Sequence, residues 1–137
     1  MTNLPPSNFT LISARFKDII QNEKDFDKTG LPSSYSIRRK TYTLIDGSKF
    51  YITEYIKDGK IDIYFYDLFR CNGAEDHIRF HSESHPDKKD QTVTEPFHVH
   101  NQEVNNPNKK RLPNYEVREL IQIFEWLRFT FIYNKLI

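Results

Sequence analysis

Three Asx-Gly pairs divide the first half of the chain into segments rich in β-branched and aromatic residues. The pairs are Asp46-Gly47, Asp58-Gly59 and Asn72-Gly73. Both residues of such a pair accept positive φ. The two-residue turns that join antiparallel strands require this conformation. Three in succession predict an antiparallel β-meander. The predicted strands span residues 35–45, 49–57, 61–69 and 75–81.

Helical periodicity flanks the predicted meander. Apolar residues recur at helical spacing over residues 8–22, behind Ser7 as a candidate N-cap, and again in a long segment capped by Asn114. The second half of the long segment is apolar on nearly every side, which is typical of a helix that is deeply buried or shared with another subunit.

The expected fold is therefore α+β. It is an antiparallel meander of four to five strands, the fifth over 97–100, with an N-terminal and a long C-terminal helix packed on one face. A length of 137 residues predicts a single domain over residues 1–137.

The composition limits the classes of function. A net charge of +1 means that any nucleic-acid surface has to be a local patch. Arg38-Arg39-Lys40 and Lys109-Lys110-Arg111 are either such patches or ordinary solvated surface. The single cysteine, Cys71, excludes an intrachain disulfide and favours a reducing compartment. Without a signal peptide or an apolar run of membrane-spanning length, a cytoplasmic protein with no membrane contact is expected.

All five histidines lie between His77 and His100, in the stretches HIRFHSESHP and PFHVH. Because side chains alternate between the faces of a strand, His77, Arg79 and His81 should share one face, as should His98 and His100. Two neighbouring strands of this pattern would present several imidazoles and one guanidinium from a common surface. Tyr64 and Tyr66 of the third predicted strand are expected to line the same face.

This set of residues suggests RNA cleavage without a firmly bound metal or other cofactor. We assign His85, His98 and His100 as the acid and base set, because two imidazoles can remove one proton and donate another. Arg79 is assigned as the phosphate ligand, since its planar fork donates two parallel hydrogen bonds. The residues assigned to substrate binding are Tyr64, Tyr66 and His81.

Other interpretations use the same residues. His98 and His100, two apart on one strand, would chelate a divalent metal with His85 or Glu83 as a third ligand, as in a metal-dependent hydrolase. The histidines would otherwise be solvated surface. The apolar C-terminal helix favours a non-catalytic interaction subunit or a homodimer formed through that helix. Glu54, on a strand among apolar neighbours, would be a general base or one half of a cross-strand ion pair.

The segment from Arg38 to His100 resembles the TumE family, the toxin components of prokaryotic toxin–antitoxin modules. The matching elements are a DGS turn at 46–48, an acidic residue at Glu54, a tyrosine-rich strand, RFHSESHP and PFHVH. The resemblance implies family positions at Arg79, His85, His98 and His100, RNA cleavage as the activity, and a cognate antitoxin or complex subunit as partner. His81 stands where the family has Asp, and Phe97 where it has the first histidine of its last motif.

Overall fold

The computed structural model describes residues 2–70, 77–83, 91–102 and 111–136. These residues form two helices and seven strands. In chain order the elements are α1 (Phe9–Arg15), β1 (Ile20–Lys24), β2 (Ile37–Leu44), β3 (Lys49–Lys57), β4 (Lys60–Phe69), β5 (His77–His81), β6 (His98–Gln102), β7 (Arg111–Pro113) and α2 (Leu120–Leu136).

The strands form one antiparallel sheet in which spatial order follows chain order, β1 to β7. The prediction of an α+β meander is confirmed, but four to five strands is too few. The two strands that were not predicted lie at the sheet's two ends. β1 is mostly exposed and polar, so it lacks a strand-like apolar pattern. β7 has only three residues and ends at Pro113. Proline has no N–H to donate to a neighbouring strand, so within sheets it is found mainly at edges such as this one.

Two of the three predicted hairpin turns lie in the described residues, and both are present. Asp58 and Gly59 have φ of 53° and 75°, the two positive values that a tight hairpin turn requires. Gly47 has φ of 89°, and the side chain of Asp46 accepts a hydrogen bond from the Ser48 amide at 2.9 Å. The third pair, Asn72-Gly73, lies outside the described residues.

Both helices are shorter than predicted. Asn8, rather than Ser7, caps α1, because its side chain accepts a hydrogen bond from the Leu11 amide. The predicted helix over 8–22 ends at Arg15, and its last residues form the start of β1. Asn114 accepts a hydrogen bond from the Val117 amide in a turn that precedes α2, so the second helix begins five residues later than predicted.

The core lies between one face of the sheet and both helices. Phe124 of α2 lies at its centre, with its ring centroid 5.2 Å from that of Phe16, the C-cap of α1, 5.1 Å from that of Tyr42 and 5.5 Å from that of Phe50. The helices therefore pack on a single sheet face, here called the core face. The opposite face of the sheet is here called the outer face. None of the described helices is long and apolar enough to cross a membrane.

Candidate functional site on the outer face

Three histidines and one arginine meet on the outer face where β5 pairs with β6. The antiparallel register sets His81 opposite His98 and Arg79 opposite His100. Directly opposed residues of an antiparallel pair project from the same face, with Cα atoms about 4.5 to 5.5 Å apart. The intervening Phe80 and Val99 are opposed in turn, and Phe80 belongs to the core.

The imidazole rings of these strands are close enough to act on one atom. The His81 and His100 centroids are 4.9 Å apart, those of His98 and His100 4.8 Å, and those of His81 and His98 5.8 Å. Glu83, just beyond β5, adds a carboxylate 3.9 Å from Nδ1 of His81. One side-chain atom of each of these residues lies within 4.8 Å of all the others. We call His81, Glu83, His98 and His100 the histidine cluster.

Two rings of the histidine cluster are held by acceptors outside it. Nε2 of His81 lies 2.9 Å from Oδ1 of Asp67 on β4, and Nδ1 of His98 lies 3.1 Å from the Pro96 carbonyl oxygen. A carbonyl oxygen or an ionised carboxylate can only accept, so these ring nitrogens carry the proton. In the neutral rings, Nδ1 of His81 and Nε2 of His98 are then the lone-pair nitrogens.

The histidine cluster is buried rather than exposed to solvent on the surface of the sheet. His98 has no exposed surface, and His81 and His100 each expose 7%. The side chain of Glu83 is 38% exposed, so the described part of the cluster reaches solvent mainly at this carboxylate. The interpretation of these histidines as solvated surface is therefore wrong for the three that form the cluster.

The structure separates the five histidines and Arg79 into three groups. It brings together His81, His98, His100 and Arg79. His85 falls in segment 84–90, outside the described residues. His77 lies on the same face but outside the cluster, with its ring centroid 4.1 Å from that of Phe69.

The expectation that Tyr64 and Tyr66 line the histidine face is wrong. Tyr66 is opposite Phe80, and both tyrosines are fully buried in the core with their rings stacked at 4.0 Å. Burial raises the pKa of both phenols. The β4 residues that face the histidines are Phe65 and Asp67, which alternate with the tyrosines and lie opposite His81 and Arg79. Sequence reasoning missed Asp67, although its odd spacing from the two tyrosines was a usable signal.

Glu54 proves to be a buried hydrogen-bonding centre on the core face. It accepts hydrogen bonds from the Ser7 amide and hydroxyl, from the Tyr66 hydroxyl at 2.5 Å, and from Nη1 of Arg38 at 3.2 Å. Arg38 is its direct cross-strand neighbour. The predicted cross-strand ion pair is confirmed.

The first basic run is held by carboxylates. Arg38 pairs with Glu54, Arg39 with Asp27 at 3.1 Å, and Lys40 with Glu23 and Asp25 at 2.9 Å each. Burial by itself would lower the pKa of Lys40, but its hydrogen bonds to Glu23 and Asp25 raise it. The charges of this run are therefore used in ion pairs within the fold, which offers little support for a phosphate-binding patch here.

Comparison with known protein families gives a match over most of the chain. The family model described as toxin TumE matches residues 8–133, which include all the described residues of the histidine cluster and both helices almost entirely. No curated protein and no solved structure matches the chain significantly.

Proposed function

We propose, since the chain belongs to the toxin TumE family, that this protein is a toxin that cleaves RNA at the histidine cluster. The observation that carries the proposal is the convergence of three imidazoles and Arg79 on one face through the β5–β6 register. Cleavage of an RNA phosphodiester needs a proton acceptor, a proton donor and a cation near the phosphate, and these side-chain types supply all three.

The reaction balances as an internal transfer of the phosphoryl group. The ribose 2′-oxygen bonds to phosphorus, and its proton passes to a base. The bond from phosphorus to the 5′-oxygen breaks, and that oxygen takes a proton from an acid. The products are a 2′,3′-cyclic phosphate and a 5′-hydroxyl. Arg79 is the phosphate ligand, because its planar guanidinium can donate two parallel hydrogen bonds to two phosphate oxygens.

His81 is the best placed base of the cluster when its rings act without a metal. Asp67 accepts a hydrogen bond from Nε2–H of His81, which leaves Nδ1 as the proton acceptor, 3.9 Å from Glu83 at the more exposed side of the cluster. His98 and His100 remain candidates for the acid. The substrate role assigned to His81 is thus replaced by a proton-transfer role in this proposal.

The test is cleavage of a defined RNA by the purified full-length protein. A His98→Ala, His100→Ala double variant should lose about 10²- to 10⁴-fold in rate, the range that positioned acid and base groups contribute. His77→Ala is the matched control, since it removes a histidine of the same face that lies outside the cluster. Equal rates for the wild type and the double variant would contradict the proposal.

A second experiment tests the reaction type. RNA with a 2′-deoxy sugar at the cleaved position should resist cleavage, and the products of ordinary RNA should carry 2′,3′-cyclic phosphate ends. Ends with a free 3′-hydroxyl would show that water, rather than the ribose, attacks phosphorus.

A cognate antitoxin is the proposed protein partner, and α2 is its proposed contact. Trp126 and Phe129 of α2 are 37% and 59% exposed, and aromatic side chains of this kind dominate protein interfaces. The same surface favours the alternatives of a homodimer and of a non-catalytic subunit. A stable complex in which no RNA is cleaved under any metal condition would favour the non-catalytic role.

A further inference from the structure

We infer that the histidine cluster is a binding site for a divalent zinc-like ion. Its four residues offer three imidazole nitrogens and one carboxylate oxygen, and the four candidate atoms lie within 4.8 Å of one another. Three histidines with a carboxylate or water are a common donor set for zinc, and imidazole ligands favour zinc and the neighbouring late transition metals over magnesium or calcium.

The geometry needs only a small contraction to close on an ion. Zinc bonds of about 2.0 to 2.1 Å hold the ligand atoms of a tetrahedron about 3.4 Å apart. His81 and His98 sit opposite each other on adjacent strands, and His100 follows two residues later on β6. Their backbones are therefore fixed by the ladder, and side-chain rotation supplies the remaining movement of about 1 Å.

The acceptors outside the cluster are those that a metal site requires. A metal-bound histidine usually donates its other ring nitrogen to a carboxylate or a backbone carbonyl, which sets the tautomer and the ring's direction. Asp67 does this for His81, and the Pro96 carbonyl does it for His98. Each contact leaves the ring's second nitrogen as the lone-pair donor.

The charges of the side chains around the cluster also suit a divalent ion with a substrate phosphate beside it. The carboxylates of Glu83 and Asp67 would offset the two positive charges of the ion, which leaves the guanidinium of Arg79 for an anionic ligand. Glu83 is the most exposed of the four residues, so water or substrate would reach the ion from its side. Zinc lowers the pKa of bound water to near neutrality, and such a water would replace His81 as the base in RNA cleavage.

The test is zinc binding by the full-length protein, freed of metal by a chelator and titrated with zinc against a chromophoric chelator. The wild type should bind one equivalent, and cobalt in its place should show the visible spectrum of a tetrahedral site. Glu83→Gln and His100→Gln remove proposed ligands. Asp67→Asn changes the outer contact, and it should weaken zinc about 10- to 100-fold. His77→Gln is the control and should bind zinc like the wild type.

Two results would overturn the metal site. One is a wild type that takes up no stoichiometric zinc. The other is equal affinity in the wild type, Glu83→Gln and Asp67→Asn, which would place any bound zinc elsewhere. Both carboxylate variants retain the three histidines, so they decide the matter even when His100→Gln fails to fold, as circular dichroism will show.

Zinc binding does not depend on the proposed RNA cleavage, and the two fail separately. Zinc bound at the cluster with no RNA cleaved would leave the metal site standing and remove the proposed function. RNA cleaved at full rate by protein that binds no zinc would do the reverse. Cleavage that is lost in chelator and restored by zinc supports both.

Discussion

Asp27 shows how the surroundings of a single carboxylate control its charge. It accepts hydrogen bonds from Thr29, from Thr53 at 2.7 Å and from Nε of Arg39 at 3.1 Å. Burial by itself raises the pKa of Asp27, but these hydrogen bonds and the positive charge of Arg39 outweigh it and lower the pKa below the usual 3.8. The ionised carboxylate therefore ties the 25–34 loop to β2 and β3.

The lowered pKa of Asp27 predicts a dependence of stability on pH. A carboxylate with a lower pKa in the folded state stabilises the fold above its unfolded pKa of about 4, and this contribution is lost as pH falls through the folded pKa. Asp27→Asn should lower the free energy of unfolding at pH 7 by about 1 to 3 kcal/mol and make its decline on acidification shallower. Urea unfolding across this pH range measures both effects.

The control for Asp27 is Asp58→Asn, which removes the same charge from the exposed β3–β4 turn and keeps a residue that accepts positive φ. This variant should match the wild type at every pH. An Asp27 variant with an unchanged slope below pH 4 would contradict the assigned cause.

Glu54 predicts a larger effect of a different kind. Removing one partner of a buried ion pair leaves the other without compensation, so Glu54→Ala should cost about 3 to 5 kcal/mol in the free energy of unfolding. Chemical denaturation measures this, with the exposed Glu116→Ala as control. A variant that stays stable but no longer cleaves RNA would instead make Glu54 part of the chemistry.

At the scale of elements, the ring of Phe124 lies at the centre of the packing between α2 and the sheet. Phe124 contacts Phe16, the C-cap of α1, and two core residues of β2 and β3, so it joins both helices to the meander. Among the side chains of α2 that the structure describes, Leu120, Ile123 and Leu127 are also buried. Trp126 is partly exposed and its ring also lies 6.0 Å from that of the core residue Phe80, whereas Phe129 lies on the exposed side of α2.

Phe124→Ala should lower the free energy of unfolding by about 3 to 5 kcal/mol, because the cavity it leaves cannot close between two helices and a sheet. Phe129→Ala on the exposed surface should change it by less than about 1 kcal/mol. Thermal or urea unfolding compares the two variants. Similar losses would mean that the exposed surface of α2 is also held within the fold.

At the scale of the whole molecule, metal binding should couple to stability. A ligand that binds only the folded state stabilises it by about 2.7 kcal/mol at 100 times its dissociation constant. Zinc at that concentration should therefore raise the melting temperature of the wild type and of His77→Gln. Glu83→Gln and Asp67→Asn should show a smaller rise at the same zinc concentration. An equal rise in all four proteins would place the stabilising ion outside the histidine cluster.

Family membership and fold fit together at this scale. The family match spans residues 8–133, from the cap of α1 into α2, so the toxin assignment rests on nearly the whole chain. The core face is occupied by the helices and the outer face by the histidine cluster. The proposed RNA and antitoxin surfaces therefore lie on different sides of the molecule.

Local chemistry determined much of this protein without any structure. Asx-Gly pairs bend the backbone through residues that are adjacent in sequence, so the central hairpins could be predicted from sequence alone. Alternation within a strand likewise linked His81 to Arg79, and His98 to His100. These effects act over a few residues and need no knowledge of distant partners.

The tertiary structure decided what depends on contact between distant residues. The register between β4 and β5 decides which alternate residues of β4 face the histidines. It places Asp67 on that face and Tyr64 and Tyr66 on the opposite one. The polar segment Ile20–Lys24 becomes a strand only because β2 offers it a ladder of hydrogen bonds. Burial of the histidine cluster has the same origin. Packing, unlike turn chemistry, is a property of residues that meet across the whole chain.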